Sequence, residues 1–167
     1  VKTAIKYSVA VVVVSTKGAQ GQREDLVGPA VTRRLLEAGY EPEPTLIIAD
    51  DRIAIAETLV ELVDNRHLDL VLTSGGTGLS PDDLTPEATL EVLDRQIPGL
   101  AEAMRAAGRA LTPHADLSRA LAGQRGRSLI INLPGSPKGA LENLEIVLPS
   151  LGHALDKIKG DARDCAR

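Results

Sequence analysis

Residues 9–14, Val-Ala-Val-Val-Val-Val, constrain this chain more than any other feature. Six apolar residues in a row, without alternation, need cover on both faces. They therefore predict a strand inside a sheet that carries helices on either side. The pattern recurs along the chain. Residues 45–49 and 68–73 predict two more strands. Residues 117–122 and 128–132 predict a further pair, joined through Gly123-Gln124-Arg125-Gly126.

Helical spacing fills the intervals. Leu26, Val31, Leu35 and Leu36 predict a helix with Pro29 in its first turn and Gly39 as its stop. Ile53, Ala56, Leu59, Val60 and Val63 line one side of a second helix, behind Asp50-Asp51. Thr85-Pro86-Glu87 predicts a third, with Thr85 as N-cap and Pro86 at the first helical position. Pro98-Gly99 breaks that pattern and residues 100–110 resume it. A last helix, capped by Ser136 and opened by Pro137, ends near Ile158. The alternation predicts an α/β protein: a three-layer α/β/α single domain over residues 1–167 with a mostly parallel sheet, and a flexible tail from about residue 161. With no Phe and no Trp, its core must be built from Leu, Ile, Val and Ala.

Several function classes are disfavoured at this stage. A net charge of −4 without a long basic run argues against nucleic acid. The run at 9–14 is far too short for a membrane span, and no small-residue cleavage site follows it. The single cysteine, Cys165, forms no internal disulfide and suits a reducing cytosol, so a cytoplasmic protein is expected. His67, His114 and His153 have no Cys/His cluster around them, which argues against zinc. Ser15, Ser74 and Ser118 lack a nucleophile elbow.

In open parallel sheets the ligand sits beyond the carboxyl ends of the strands. Four loops follow strands here: residues 15–25, Asp50-Asp51, residues 74–85 and residues 133–138. They are expected to converge on one rim. Ser74-Gly75-Gly76-Thr77-Gly78 carries the most information, because three glycines let backbone N–H groups approach an anion while Ser74 and Thr77 add hydroxyls. It has neither the Lys-Ser/Thr ending of a P-loop nor dinucleotide-fingerprint spacing. The plain alternative is a tight turn without a ligand.

Asp82 and Asp83 follow at once. They either meet a divalent metal, or accept hydrogen bonds from an amino-rich ring, or lie in solvent. Asp50 and Asp51 can be explained as a helix cap. Lys138 falls in the first turn of the last helix, where a cation opposes the helix dipole, so a ligand phosphate is one reading and a solvated lysine the other. Arg119 and Glu102 read as a structural ion pair, and Tyr7 and Tyr40 as packing residues.

The stretch Ser74-Gly75-Gly76-Thr77-Gly78-Leu79-Ser80-Pro81-Asp82-Asp83-Leu84-Thr85-Pro86-Glu87-Ala88-Thr89 closely resembles the signature of the molybdenum cofactor biosynthesis family, of the molybdopterin adenylyltransferase (MogA/MoaB) type. Further segments resemble the same family in the same order: Asp25 with Gly28-Pro29, Asp50, Ile97-Pro98-Gly99 with Glu102 and Arg105, Leu117-Ser118-Arg119, and Asn132-Leu133-Pro134-Gly135-Ser136-Pro137-Lys138. The resemblance covers nearly the whole chain. Val27 and Asp82 depart from it, standing where the family often has a small hydroxyl residue and a basic residue.

The resemblance implies transfer of AMP from Mg-ATP to the terminal phosphate of molybdopterin, with pyrophosphate released. It implies Asp50 and Asp83 as the acids of catalysis and of Mg²⁺ binding. Ser74, Gly75, Gly76, Thr77, Gly78, Ser118, Pro134, Gly135, Ser136 and Lys138 are implied for substrate. Asp25, Asp82, Thr85, Glu102, Arg119 and Asn132 would support them. A homotrimer or homohexamer is implied, and a downstream molybdate-inserting enzyme as partner. Two alternatives share the fold: a molybdopterin carrier without chemistry, and a nucleotide pyrophosphatase like those of the competence/damage-inducible family.

Overall fold

The computed structural model describes residues 7–163, so Cys165 and the end of the expected tail lie outside the described residues. Strand β1 (Ser8–Val14) sits where the valine run predicts it, and its alternation sorts the core. Val9, Val11 and Val13 join one apolar cluster, while Ala10, Val12 and Val14 join another on the opposite face. The strands β4 (Leu70–Ser74) and β7 (Ser128–Leu133) do the same, with Leu70, Leu72, Leu129, Ile131 and Leu133 on the first face and Val71 and Ile130 on the second.

Helices cover both faces. On the first lie α2 (Val27–Glu37), α5 (Pro98–Arg109) and α6 (Pro137–Ile158), which bury Val31, Leu35, Met104, Leu144 and Leu151. On the second lie α3 (Arg52–Val60), the π-helical turn Glu61–Asn65 and α4 (Thr85–Val92), which bury Ile55, Leu59, Leu62 and Ala88. Each aliphatic side chain so enclosed contributes roughly 1.5–3 kcal/mol over its exposed state. Three layers around one sheet are the arrangement the alternation predicts.

The sheet runs β2-β1-β4-β7-β6-β5, with β3 also on β1. Here β2 is Glu41–Pro42, β3 is Leu46–Ile48, β5 is Arg95–Gln96 and β6 is Ala122–Arg125. The pairs of β1 with β2, β3 and β4, and of β4 with β7, are parallel; β6 and β5 are antiparallel. The predicted strand at 45–49 is shorter and has a companion, because Pro44, without an N–H, interrupts one edge into two pieces.

Three expectations are corrected. Residues 117–122 are not a strand: Pro113–Leu117 is a 3-10 turn, and β6 begins only at Ala122. Gly123, Gln124 and Arg125 belong to the strand itself, and Gly126 with Arg127 makes the two-residue turn. Pro98 and Gly99 do not break a helix but open α5, since proline fits a first turn whose N–H has no partner. Among the described residues no helix is long and apolar enough to cross a membrane.

Candidate active site

The carboxyl ends of β1, β3, β4 and β7 open onto a cleft of about 630 Å³, a size suited to a small-molecule ligand. The segment after β1 forms one wall. Ser15 caps the single-turn helix α1 (Thr16–Ala19), its hydroxyl accepting from Gly18 N–H at 3.1 Å, so part of the expected loop is helical. Asp25 closes that wall. Its Oδ1 accepts from the N–H groups of Val27 and Gly28, both at 2.9 Å, which seats the carboxylate on the start of α2. A Cβ on Gly28 would stand 2.2 Å from the other Asp25 oxygen, so only glycine admits this arrangement.

The two adjacent acids after β3 diverge. Asp51 is a helix cap, accepting from Ala54 N–H at 2.8 Å. Asp50 turns the other way, into the cleft. Its Oδ2 accepts from Thr16 N–H at 2.7 Å and from the Thr16 hydroxyl at 2.9 Å. Its Oδ1 faces the glycine loop, 3.6 Å from where a Cβ on Gly76 would lie. The capping explanation therefore holds for Asp51 alone.

The glycine loop is drawn tightly onto its neighbours. Gly75 N–H bonds Leu133 O at 3.1 Å, and the Ser74 hydroxyl donates to Pro134 O at 2.7 Å. Thr85 holds the other side, its hydroxyl donating to Gly75 O at 2.9 Å and its N–H to Gly76 O at 3.1 Å. This corrects the reading of Thr85 as N-cap: Leu84 occupies that position, and Thr85, fully buried, uses its hydroxyl to fix the loop. These bonds leave the N–H groups of Gly76, Gly135 and Ser136 without an acceptor among the described residues. All three residues line the cleft. Free amides converging from two loops make an anion cradle.

The far limb of the loop lies outside the cleft lining. Buried Thr77 accepts from Arg119 N–H at 2.9 Å through its carbonyl. Asp83 folds back on its own segment, Oδ2 accepting from Ser80 N–H at 3.0 Å and lying 2.8 Å from a Cβ position on Gly78. Asp82 is exposed. Arg119 is the clamp: its Nε donates to Gly78 O at 2.7 Å, one Nη to Asp83 O at 2.6 Å, and the other Nη to the Glu87 carboxylate. Its ion-pair partner is thus Glu87 rather than Glu102, which stands exposed on α5. Ser118 precedes it, its carbonyl accepting from Arg105.

Burial pushes the Glu87 carboxyl up, yet the bond from Arg119, a backbone amide and nearby guanidinium charge hold it below the usual glutamate value. A depressed carboxyl stabilises the fold above its unfolded value of 4.5 and loses that contribution as pH falls through the lower folded value. The clamp therefore persists in mild acid. Arg119→Ala, by removing three side-chain bonds, should lower stability by about 1–3 kcal/mol in denaturant unfolding. Lysine, with no planar fork, should restore little of it.

Asn132 supports the site from below. Fully buried, it donates to the hydroxyls of Thr73 and Thr89, both at 2.9 Å, and accepts from Leu121 N–H at 3.0 Å. It joins β4, α4 and the segment before β6. At the start of α6 the Ser136 hydroxyl accepts from Gly139 N–H at 3.1 Å, as its capping role predicts. Lys138 is 87% exposed, 3.8 Å from Glu142, and does not line the cleft. Sequence reasoning missed Arg23, Glu24 and Thr16, since a polar loop carries no periodicity to mark which residues turn inward.

No three His, Cys, Asp or Glu side chains gather into a metal cage among the described residues. Mg²⁺ needs no such cage, for it is commonly held by one or two carboxylates together with substrate phosphates. Asp50, with an oxygen left facing the cradle, fits that requirement.

Unpaired amides, an oriented carboxylate and a cleft at the carboxyl ends of parallel strands suit this α/β protein to a phosphorylated small molecule. Residues 10–153 match the family described as "Probable molybdopterin binding domain", and the chain belongs to that family. It is 42% identical over 154 residues to a molybdopterin adenylyltransferase of Helicobacter pylori strain J99, covering 88% of this chain and 85% of that one. It is 40% identical over 149 residues to that of Escherichia coli K12, covering 88% and 76%. The crystal structure of the molybdopterin biosynthesis enzyme MoaB from Thermus thermophilus superposes with a TM-score of 0.88 at 50% identity, over 93% of this chain and 98% of that one. CinA from Thermoplasma acidophilum, 19% identical with a TM-score of 0.65 over 87% and 98%, shares the fold alone.

Proposed function

We propose that this chain is a cytoplasmic molybdopterin adenylyltransferase of molybdenum cofactor biosynthesis, and that residues 1–167 form one molybdopterin-binding domain. The observation that carries the reading is the pairing of three free amides at Gly76, Gly135 and Ser136 with the open carboxylate oxygen of Asp50. Relatives at 40–42% identity bear that activity in their names.

In this reading the terminal phosphate oxygen of molybdopterin attacks the α-phosphorus of ATP. A new P–O bond forms as the bond to pyrophosphate breaks. The attacking phosphate is already ionised near neutral pH, so no strong base is required, and positioning with charge stabilisation does the catalysis. The amides of the cradle orient phosphate oxygens. Asp50, held in one orientation by Thr16, is the acid that faces the cradle, and Asp83, whose carboxylate takes Ser80 N–H outside the cleft lining, is the second acid, met by a ligand that extends past the glycine loop. Asp50 or Asp83 would hold Mg²⁺ brought with the nucleotide, and the ion would neutralise charge on the phosphates. In the same reading Ser74 lies on the cleft, while Thr77, Gly78, Ser118, Pro134 and Lys138 lie beyond its lining and would be met by a substrate that extends past it.

A homotrimer or homohexamer is part of the same proposal. The apolar groove between α5 and α6, where Met104, Leu111 and Ile146 meet, supports self-association, and the product would pass to a molybdate-inserting enzyme.

Anaerobic incubation with molybdopterin and Mg-ATP tests the reaction. Adenylylated molybdopterin with matching pyrophosphate is expected, and Asp83→Asn should lose both. Bound but unmodified pterin would sink the transferase reading in favour of a carrier; nucleotide hydrolysis without pterin would favour a pyrophosphatase.

A further inference from the structure

We propose that Arg23 is the residue that recognises substrate phosphate charge at the mouth of the cleft, an assignment that rests on the transferase reading above. The charged residues lining the cleft are Arg23, Glu24, Asp25 and Asp50, three carboxylates against one guanidinium. A phosphorylated substrate approaching such a lining gains from a cation fixed in the protein, beside the amides and any Mg²⁺ that the nucleotide brings. Two of the acids are already partly compensated, since Asp25 takes the amides of Val27 and Gly28, and Asp50 takes the amide and hydroxyl of Thr16. Among the described residues, Arg23 is the one positive side chain that lines the cleft.

Arg23 is free for the task. It makes no ion pair or side-chain hydrogen bond among the described residues, whereas Arg34, Arg52, Arg66, Arg109, Arg119 and Arg125 are each paired with a carboxylate. An unpaired guanidinium facing a cleft rich in carboxylates keeps its planar fork available for a phosphate, which it can bind through two parallel N–H bonds. The other cations of this rim do not substitute for it. Lys17 in α1 and Lys138 in α6 are exposed, as Arg23 is, but they lie outside the lining.

The backbone fixes where Arg23 stands. Before it, Gly21 takes a left-handed turn with φ of 71°, and Gln22 N–H bonds Lys17 O at 2.8 Å. After it, Asp25 is seated on α2 by its two amide bonds. The residue is thus strung between two anchored points only a few positions apart. Little main-chain freedom is left to lose when a phosphate is engaged.

Separate titrations with Mg-ATP and with molybdopterin, each at several salt concentrations, test the assignment on Arg23→Gln, Arg23→Lys and the unsubstituted protein. In Arg23→Gln, Kd for at least one ligand should rise about tenfold to a hundredfold, with KM following and kcat changed by less than about threefold. The arm that moves identifies whether the phosphate is the nucleotide's or the pterin's. Salt should weaken binding less in Arg23→Gln than in the unsubstituted chain, because the screened charge is gone. Arg23→Lys should recover part of the affinity.

A folded Arg23→Gln that binds both ligands with unchanged Kd and unchanged salt dependence overturns the proposal, whatever the turnover. Arg23-dependent binding without any adenylylated product removes the transferase reading and leaves the phosphate-binding role of Arg23 standing.

Discussion

Asp50→Asn should cut adenylyl transfer by about a hundredfold to a thousandfold while the fold stays intact. The geometry separates the two effects. Asn keeps a side-chain oxygen to accept the bonds from Thr16 N–H and Oγ1, now 2.7 and 2.9 Å, and Asp50 N–H still reaches Thr16 Oγ1 at 3.0 Å. The carboxylate charge opposite Gly76 is what disappears, and with it the group able to hold a nucleotide-bound cation. Single-turnover rates with saturating Mg-ATP should therefore collapse, while the melting temperature moves by no more than a few degrees. Thr16→Val is the companion variant. It keeps the backbone bond and removes the hydroxyl, so the carboxylate loses one of two restraints and the rate should fall by about tenfold at most. An Asp50→Asn protein with an undiminished rate would refute the role given to this carboxylate.

Sequence and structure agree most closely where one local rule governs. The valines of β1 need apolar cover on both faces, and they receive it from α2, α5 and α6 on one side and α3 and α4 on the other. Ser136 and Pro137 begin α6 as their chemistry predicts. The meeting of post-strand loops at one rim was also readable, because parallel topology places those loops together whatever their composition.

The less readable features depend on partners distant in sequence. Thr85 has the residue type and position of an N-cap, but its hydroxyl bonds Gly75 ten residues earlier, so tertiary geometry overrides the local signal. Asp50 and Asp51 are adjacent acids with the same local options, and only the position of Thr16 in the folded chain distinguishes them. Arg119 resembles an ordinary surface cation until the carbonyls of Gly78 and Asp83 are seen to meet at its guanidinium. Residues 117–122 contain enough apolar side chains for a strand, yet Pro113 begins a 3-10 turn that delays β6 to Ala122.

Gly75→Ala should be the most damaging small substitution in the chain, through two separable causes. Gly75 has φ of 105°, outside the region an L-residue adopts readily, at a cost of about 1–3 kcal/mol. Its Cβ would also stand 2.4 Å from Val14 O, a backbone atom in the central strand that cannot swing aside. Relieving that contact means parting β1 from the loop after β4, which adds a further 1–3 kcal/mol or so. Two other glycines isolate these terms. Gly39 has φ of 88° with nothing within 4 Å of its Cβ position, so Gly39→Ala reports backbone strain alone. At Gly135 φ is not in the left-handed region, and the added Cβ would lie 3.2 Å from Gly75 Cα, so Gly135→Ala reports a mild contact alone. Thermal unfolding should rank Gly75→Ala well below Gly39→Ala, with a drop of roughly 5–20 °C for the former. Gly135→Ala should unfold near the unsubstituted protein yet bind phosphate ligands less well, because the new methyl group narrows the cleft. If Gly75→Ala and Gly39→Ala melt together, the contact with Val14 contributes nothing, and left-handed backbone alone accounts for glycine at that position.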